Sequence, residues 1–208
     1  SGPGLVVTDN VFSMDGDRAN IQGIAKIIDK SNTTLMQDDA HGFGIFDPII
    51  PKHSIYMATL GKAAGVMGAF VSGDKDFIEF LIQKSRPYTY TTALPASLCH
   101  ALQKSLELIN QGEQREKLIN NIKHFRSMAG QLGLSFEESN SAIQPLIIGS
   151  SSKALLISDV LFKEGFFVSA IRPPTVPPNS ARLRFTVAAN HTLKQIDALL
   201  EKVNDAMA

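Results

Sequence analysis

The stretch Ser54-Ile55-Tyr56-Met57-Ala58-Thr59-Leu60-Gly61-Lys62-Ala63-Ala64-Gly65-Val66-Met67-Gly68-Ala69-Phe70-Val71-Ser72 sets two short strand-like runs around a glycine-bracketed turn. Residues 54–59 and 68–72 carry the side chains that suit a pleated, half-buried surface, and Gly61 and Gly65 bracket the turn between them. Lys62 therefore stands between strand ends. Working outward, Leu5 to Thr8 and Thr33 to Gln37 read as two more strands, and the spacing Ile21, Ile24, Ile27, Ile28 between them reads as a helix. A strand–helix–strand unit makes parallel strands with a right-handed crossover, and their carboxyl ends open onto a ligand crevice. The second of these strands ends at Asp38-Asp39-Ala40-His41-Gly42, so its polar side chains are expected at that crevice. The expected class is α/β, with a mostly parallel sheet.

Beyond the turn, a helix is expected from Asp74 to Ser85, followed by the Tyr- and Thr-rich stretch Arg86 to Ala93. Pro95 opens a long helix reaching about Asn110, and Gly112 ends it. Glu113 to Leu132 is helical again, and from there the pattern changes. A strand at Ile143 to Ile148, a helix from about Ser152 to Glu164 stopped by Gly165, and strands near Phe167 to Ile171 and Arg182 to Val187 follow. A last helix starts at Thr192, which forms a capping box with Gln195 three residues on. Residues 1–112 are thus set apart from residues 113–208, which are expected to form a small C-terminal α+β domain attached by the long helix.

Composition narrows the function. Twenty basic and twenty acidic side chains cancel, so no long-range field gathers polyphosphate or anionic lipid. Neither nucleic acid nor membrane is an expected partner. Apolar runs such as Val66 to Val71 are too short to span a bilayer, and the N-terminus has no basic segment followed by an apolar one, so a cytoplasmic protein is expected. Cys99, the one cysteine, lies among Ala96, Leu98, Ala101 and Leu102 and reads as a buried, inert helix position. His53, His100, His124 and His191 read as surface or packing residues.

Taken alone, the polar residues leave their roles open. A turn lysine is ordinarily solvated; two adjacent acids followed by His41 suit a metal site or a solvated strand end; Ser13 suits a turn, and Thr59 a strand end. A nucleotide-loop reading of Lys62 fails, because Tyr56 stands where GxxxxGK[ST] needs its first glycine and Ala63 replaces the hydroxyl residue. A hydrolase triad lacks its GxSxG elbow. Arg182 and Arg184 point to one face of their strand, and either offers a fork suited to a carboxylate, or a solvated edge.

Four strings decide between these readings: Val11-Phe12-Ser13-Met14-Asp15-Gly16-Asp17, DDAHG at 38–42, TLGKAAGVMGA at 59–69, and IRPPTVPPNSARLRFT at 171–186. Through them the chain, from about residue 5 onward, resembles the α-oxoamine synthases, a family of fold-type I enzymes dependent on pyridoxal 5′-phosphate. The resemblance implies part of the large cofactor-binding domain and the small C-terminal domain of that fold. It implies Lys62 as the lysine that holds the cofactor as a Schiff base and later moves a proton at the substrate α-carbon. Asp38 is implied as the acid facing the ring nitrogen, and His41 and Ser13 as cofactor contacts, mainly at the ring hydroxyl. Thr59 is implied at the phosphate, with Thr92 reaching the phosphate of a neighbouring subunit in a homodimer with shared sites.

Thr175 and Arg184 are implied as substrate contacts, Arg184 at the amino-acid carboxylate; no metal is implied. The implied reaction is a decarboxylative condensation, here of L-alanine with a pimeloyl thioester of coenzyme A or acyl carrier protein. A glycine and acetyl-CoA member, or a non-catalytic fragment, are the rival readings. The family pattern also includes an N-terminal half that supplies a histidine on the cofactor ring and a glycine loop on its phosphate, and this sequence holds neither. The stretch from His41 to Lys62 is shorter than that pattern, with Phe46-Asp47-Pro48 as the expected joint.

Overall fold

The computed structural model describes residues 3–207, in two compact units. The first takes the residues up to Phe12 together with Arg18–Gly112; the second takes Ser13–Asp17 and the residues from Glu113 on.

The first unit is built on a four-stranded sheet of β1 (Gly4–Asp9), β2 (Thr33–Asp38), β3 (Ser54–Thr59) and β4 (Ala69–Ser72), in the order β1-β2-β3-β4. β1, β2 and β3 run parallel, and β4 returns antiparallel to β3. Helix α1 (Ile21–Ile28) joins β1 to β2; the Asn20 side chain accepts from Gly23 N at 2.9 Å and so caps its free amides. Strand alternation then sorts the side chains. Leu35, Gln37, Tyr56 and Ala58 are buried on one face, whereas Asp9, Asp38, Met57 and Thr59 share the other. β1 and β2 end level, with Asp9 paired to Asp38, and β3 runs two residues further, since Asp38 pairs with Met57 and the strand ends at Thr59.

After β4 come α2 (Lys75–Lys84), α3 (Arg86–Thr89) and α4 (Ala96–Gln111). The single turn α3 lies in the Tyr- and Thr-rich stretch, where Pro87 pre-sets the backbone near a helix start. Gly112 closes α4 at φ 80°, a left-handed conformation that glycine adopts without strain. No residue of α4 is buried, and Cys99 is exposed, which corrects the sequence expectation. The reason is tertiary: an apolar side chain is withdrawn from water only where something packs on it, and the Cys99 side of α4 is uncovered in this chain.

The second unit holds α5 (Glu113–Gln131), β5 (Ile143–Gly149), α6 (Ser151–Lys163), β6 (Ser169–Ile171), β7 (Ala181–Thr186) and α7 (Leu193–Met207). Its sheet is antiparallel, in the order β5-β7-β6. Phe125, Ile157, Leu161, Leu183, Ile196 and Leu200 form its fully buried core. Each such side chain contributes about 2 kcal/mol by leaving water. The expected capping box is present: Thr192 N donates to Gln195 Oε1 at 2.9 Å, and Gln195 N to Thr192 Oγ1 at 3.3 Å.

Segment Ser13–Asp17 belongs to this unit through specific bonds. Ser139 Oγ donates to Gly16 O at 2.9 Å, Arg184 Nη1 donates to Ser13 O at 2.9 Å, and Arg182 pairs with Asp15. Gly16 has φ +70°, and a Cβ there would meet Ile143 O, Ser139 Oγ and Ser141 Oγ at 2.5–2.7 Å, so only glycine fits.

Candidate active site

Lys62 sits in the β3–β4 turn at the carboxyl end of the parallel strands. Four contacts shape that turn: Leu60 N donates to Gly68 O at 2.8 Å, Val66 N to Leu60 O at 2.8 Å, Gly65 N to Lys62 O at 3.0 Å, and Gly61 N to Thr59 Oγ1 at 3.3 Å. Ser105 of α4 adds a bond to Ala64 O at 2.6 Å. Gly65 has φ +63°, and a Cβ there would meet nothing within 4 Å, so the turn opens onto free space.

The Lys62 Nζ lies 2.8 Å from His41 Nε2. An ammonium can donate to a neutral imidazole at that distance, and the imidazole can take its proton. His41 is placed by the turn after β2. There, Ala40 N donates to Asp38 Oδ1 at 2.9 Å, and Gly42 N and Phe43 N donate to Asp39 O at 3.1 and 2.9 Å. Asp38 is half-buried at the end of β2, beside Asp9. Burial, reinforced by the Asp38 charge, holds the Asp9 carboxyl above its usual range, while the Lys62 cation pulls it the other way. Two acids, an amine and an imidazole thus lie at the carboxyl end of the parallel strands.

Thr59, on the Asp38 face of the sheet, accepts from Gly61 N and donates to Gly68 O at 3.3 Å. Thr92 is exposed on the segment joining α3 to α4. Asp38, His41, Thr59, Lys62 and Thr92 therefore lie in the first unit, whereas Ser13, Thr175 and Arg184 lie in the second. Thr175 is exposed in a turn after the cis Pro173–Pro174 bond, with its N–H on Arg172 O at 3.1 Å. Arg182 and Arg184 share a face of β7, but they differ. Arg182 is buried against Asp15, whereas Arg184 is half-buried and spends one donor on Ser13 O. Among the described residues no group of three His, Cys, Asp or Glu side chains is arranged to hold a metal ion. No described helix is long and apolar enough to cross a membrane.

Asp9 and Tyr56 had no assigned role in the sequence reading. Asp9 could have been found from register, since it ends the first of two strands expected to run parallel and Asp38 ends the second. Tyr56 gives no such signal, because a strand tyrosine is ordinarily a packing residue.

Comparison with known proteins fixes the class: the family described as aminotransferase class I and II matches residues 1–203, and the chain belongs to that family. Within it the chain is similar to proteins named 8-amino-7-oxononanoate synthase. That of Methylococcus capsulatus is 45% identical over 98% of this chain and 56% of the relative, and that of Hydrogenovibrio crunogenus 46% over 95% and 53%. The chain thus spans about half the length of these relatives. Aligning that of Thioalkalivibrio sulfidiphilus takes 219 positions against the 208 of this chain, so at least 11 residues of the relative lack a counterpart. Among solved structures, a serine palmitoyltransferase carrying a pyridoxal phosphate internal aldimine superposes with TM-score 0.89 at 27% identity, over 98% of this chain and 55% of that one. The 8-amino-7-oxononanoate synthase of Francisella tularensis does so with TM-score 0.83 at 30% identity, over 99% and 63%. These neighbours give the first unit its place as part of a fold-type I large domain.

Proposed function

We propose that this chain carries a pyridoxal phosphate site of an acyltransferase that condenses L-alanine with a pimeloyl thioester. Carbon dioxide and 8-amino-7-oxononanoate are the products, in biotin synthesis. The observation that carries the reading is the approach of Lys62 Nζ to His41 Nε2, 2.8 Å apart beside the Asp38 strand end.

The donor set fits the cofactor. An amine that condenses with an aldehyde must first lose its proton, and the imidazole of His41 stands where it can take it. When bound, pyridoxal phosphate supplies an electron sink for the bonds at the amino-acid α-carbon. Asp38 would hold the ring nitrogen in its protonated form, with one oxygen already steadied by Ala40 N. Thr59 would offer its hydroxyl to the phosphate, and the Ser13 hydroxyl and a His41 ring nitrogen would bond the ring hydroxyl. Arg184 would present its fork to the carboxylate of L-alanine, with Thr175 as a further substrate contact. Lys62, once released, would carry the proton to and from the α-carbon. Thr92 would serve a neighbouring subunit of a homodimer, residues 1–112 and 113–208 would act as large and small domains, and the cytoplasm would be the place of action.

A second reading is a chain that keeps the fold but does not catalyse. Incubation with pyridoxal phosphate, borohydride reduction and peptide mapping separate the two. Cofactor fixed on Lys62, and lost in Lys62→Ala, is the expected result; a chain left unlabelled at saturating cofactor overturns the first reading. Turnover of L-alanine with pimeloyl-CoA, set against glycine with acetyl-CoA, then decides the substrate pair.

A further inference from the structure

Behind the turn that bears Asp38 and His41 lies a buried polar pair that the reaction does not use. Tyr56 OH donates to Asp39 Oδ2 at 2.5 Å, and both residues are nearly inaccessible, at 4% and 3%. Bonds between a hydroxyl and a carboxylate are short and strong, and most so where water is excluded.

The pair is wired into the turn on every side. Asp39 N donates to Met57 O at 2.8 Å, its carbonyl accepts Gly42 N and Phe43 N, and the Asn10 side chain also bonds its carboxylate. Gly42 packs so close to Asp39 Oδ1 that a Cβ at 42 would collide with it. Asp38, which precedes Asp39, and His41, two residues after it, are those that face the Lys62 side. Alternation explains the arrangement: β2 sends Asp38 toward the crevice, and the next residue, Asp39, turns inward onto Tyr56.

We propose that Asp39 and Tyr56 are positioning residues: their hydrogen bond fixes the turn that sets His41 against Lys62 and Asp38 at the strand end. The inference rests on the Lys62 reading for its functional meaning, although its geometry is independent of any cofactor. Tyr56→Phe removes one oxygen and keeps the ring that packs 6.0 Å from Phe70, and Asp39→Asn keeps the shape of the carboxylate.

The test uses the 208-residue chain, unmodified and with Tyr56→Phe, Asp39→Asn, and both. The His41 ring signals and the amide signals of residues 39–43 are followed by nuclear magnetic resonance, with the rings of His124 and His191 in the second unit as internal references. Each single change is expected to shift the His41 and turn signals, Tyr56→Phe by removing the donor and Asp39→Asn by replacing a charged acceptor with a weaker neutral one, and the double change to shift them by less than the two single shifts summed. Unmoved His41 signals in Tyr56→Phe overturn the inference, as do shifts of equal size at His124 and His191 or effects that simply add.

Borohydride capture on the same samples separates this from the function. Both single variants are expected to need about tenfold more pyridoxal phosphate for half-labelling of Lys62. No labelling of the unmodified chain overturns the Lys62 reading, while the His41 signals still decide the role of Tyr56.

Discussion

Gly16→Ala should be among the most destabilising single-methyl additions in the chain, although the residue lies in an irregular segment. Two costs add. A left-handed φ of +70° costs an alanine about 1 kcal/mol more than a glycine. The new methyl would also stand 2.5 Å from Ile143 O, a strand carbonyl with little room to move, and 2.6–2.7 Å from the hydroxyls of Ser139 and Ser141. Those hydroxyls are buried and bonded to each other at 3.0 Å, and Ser139 Oγ also holds Gly16 O. Relief therefore breaks at least one buried bond or shifts β5, at about 3 kcal/mol. The sum is about 4 kcal/mol, a large share of the roughly 5–15 kcal/mol that stabilises a domain. Urea unfolding of the 208-residue chain, followed by circular dichroism, measures it. Gly130→Ala is the control: that position lies in α5 with nothing within 4 Å of a Cβ, so it should gain about 0.5–1 kcal/mol. A Gly16→Ala loss below about 1 kcal/mol would refute the close-approach reasoning.

Asp15→Asn should cost about 2 kcal/mol in the same assay, because Arg182, with 7% of its side chain exposed, loses its carboxylate while Asp15 itself is half-exposed. A loss indistinguishable from zero would make that pair a surface one. Gln37→Leu should raise stability by about 1 kcal/mol, since Gln37 is fully buried and neither end of its amide finds a partner among the described residues; a loss of stability would show that the amide is satisfied. Asp39→Asn should change the pH dependence of unfolding. Burial raises the Asp39 carboxyl above its ordinary 3.8 despite the bonds from Tyr56 and Asn10. The folded chain therefore takes up that proton first, and the unmodified protein gains stability from this group as pH falls from the raised value to 3.8. The variant lacks that gain, so urea midpoints at several pH values should show its relative stability declining over that window; parallel curves would contradict the assignment.

Much of the fold was legible because local signals agreed with packing. Ile21, Ile24 and Ile28 mark a helix face, Thr192 with Gln195 marks a helix start, and the glycines at 61, 65 and 112 punctuate where positive φ or a tight turn follows. What escaped was tertiary. Cys99 stands in an apolar context, but that side of α4 is uncovered, and no periodicity reports what lies across from a helix. The coming together of Lys62 with His41 depends on two turns that are 21 residues apart. The sequence placed both near strand ends but carried no signal for the distance between them. The Tyr56–Asp39 bond was invisible for a similar reason: it crosses from β3 to the turn after β2, and register exists only once strands pair.

The stretch 13–17 has a consequence for anyone dividing the chain. A piece beginning at Glu113 would lack the acid that neutralises Arg182 and the backbone oxygens that occupy Ser139 and Arg184. Such a piece should be helped by a synthetic peptide spanning Phe12 to Arg18, added in trans, and a cut at residue 112 alone should not yield two self-sufficient products.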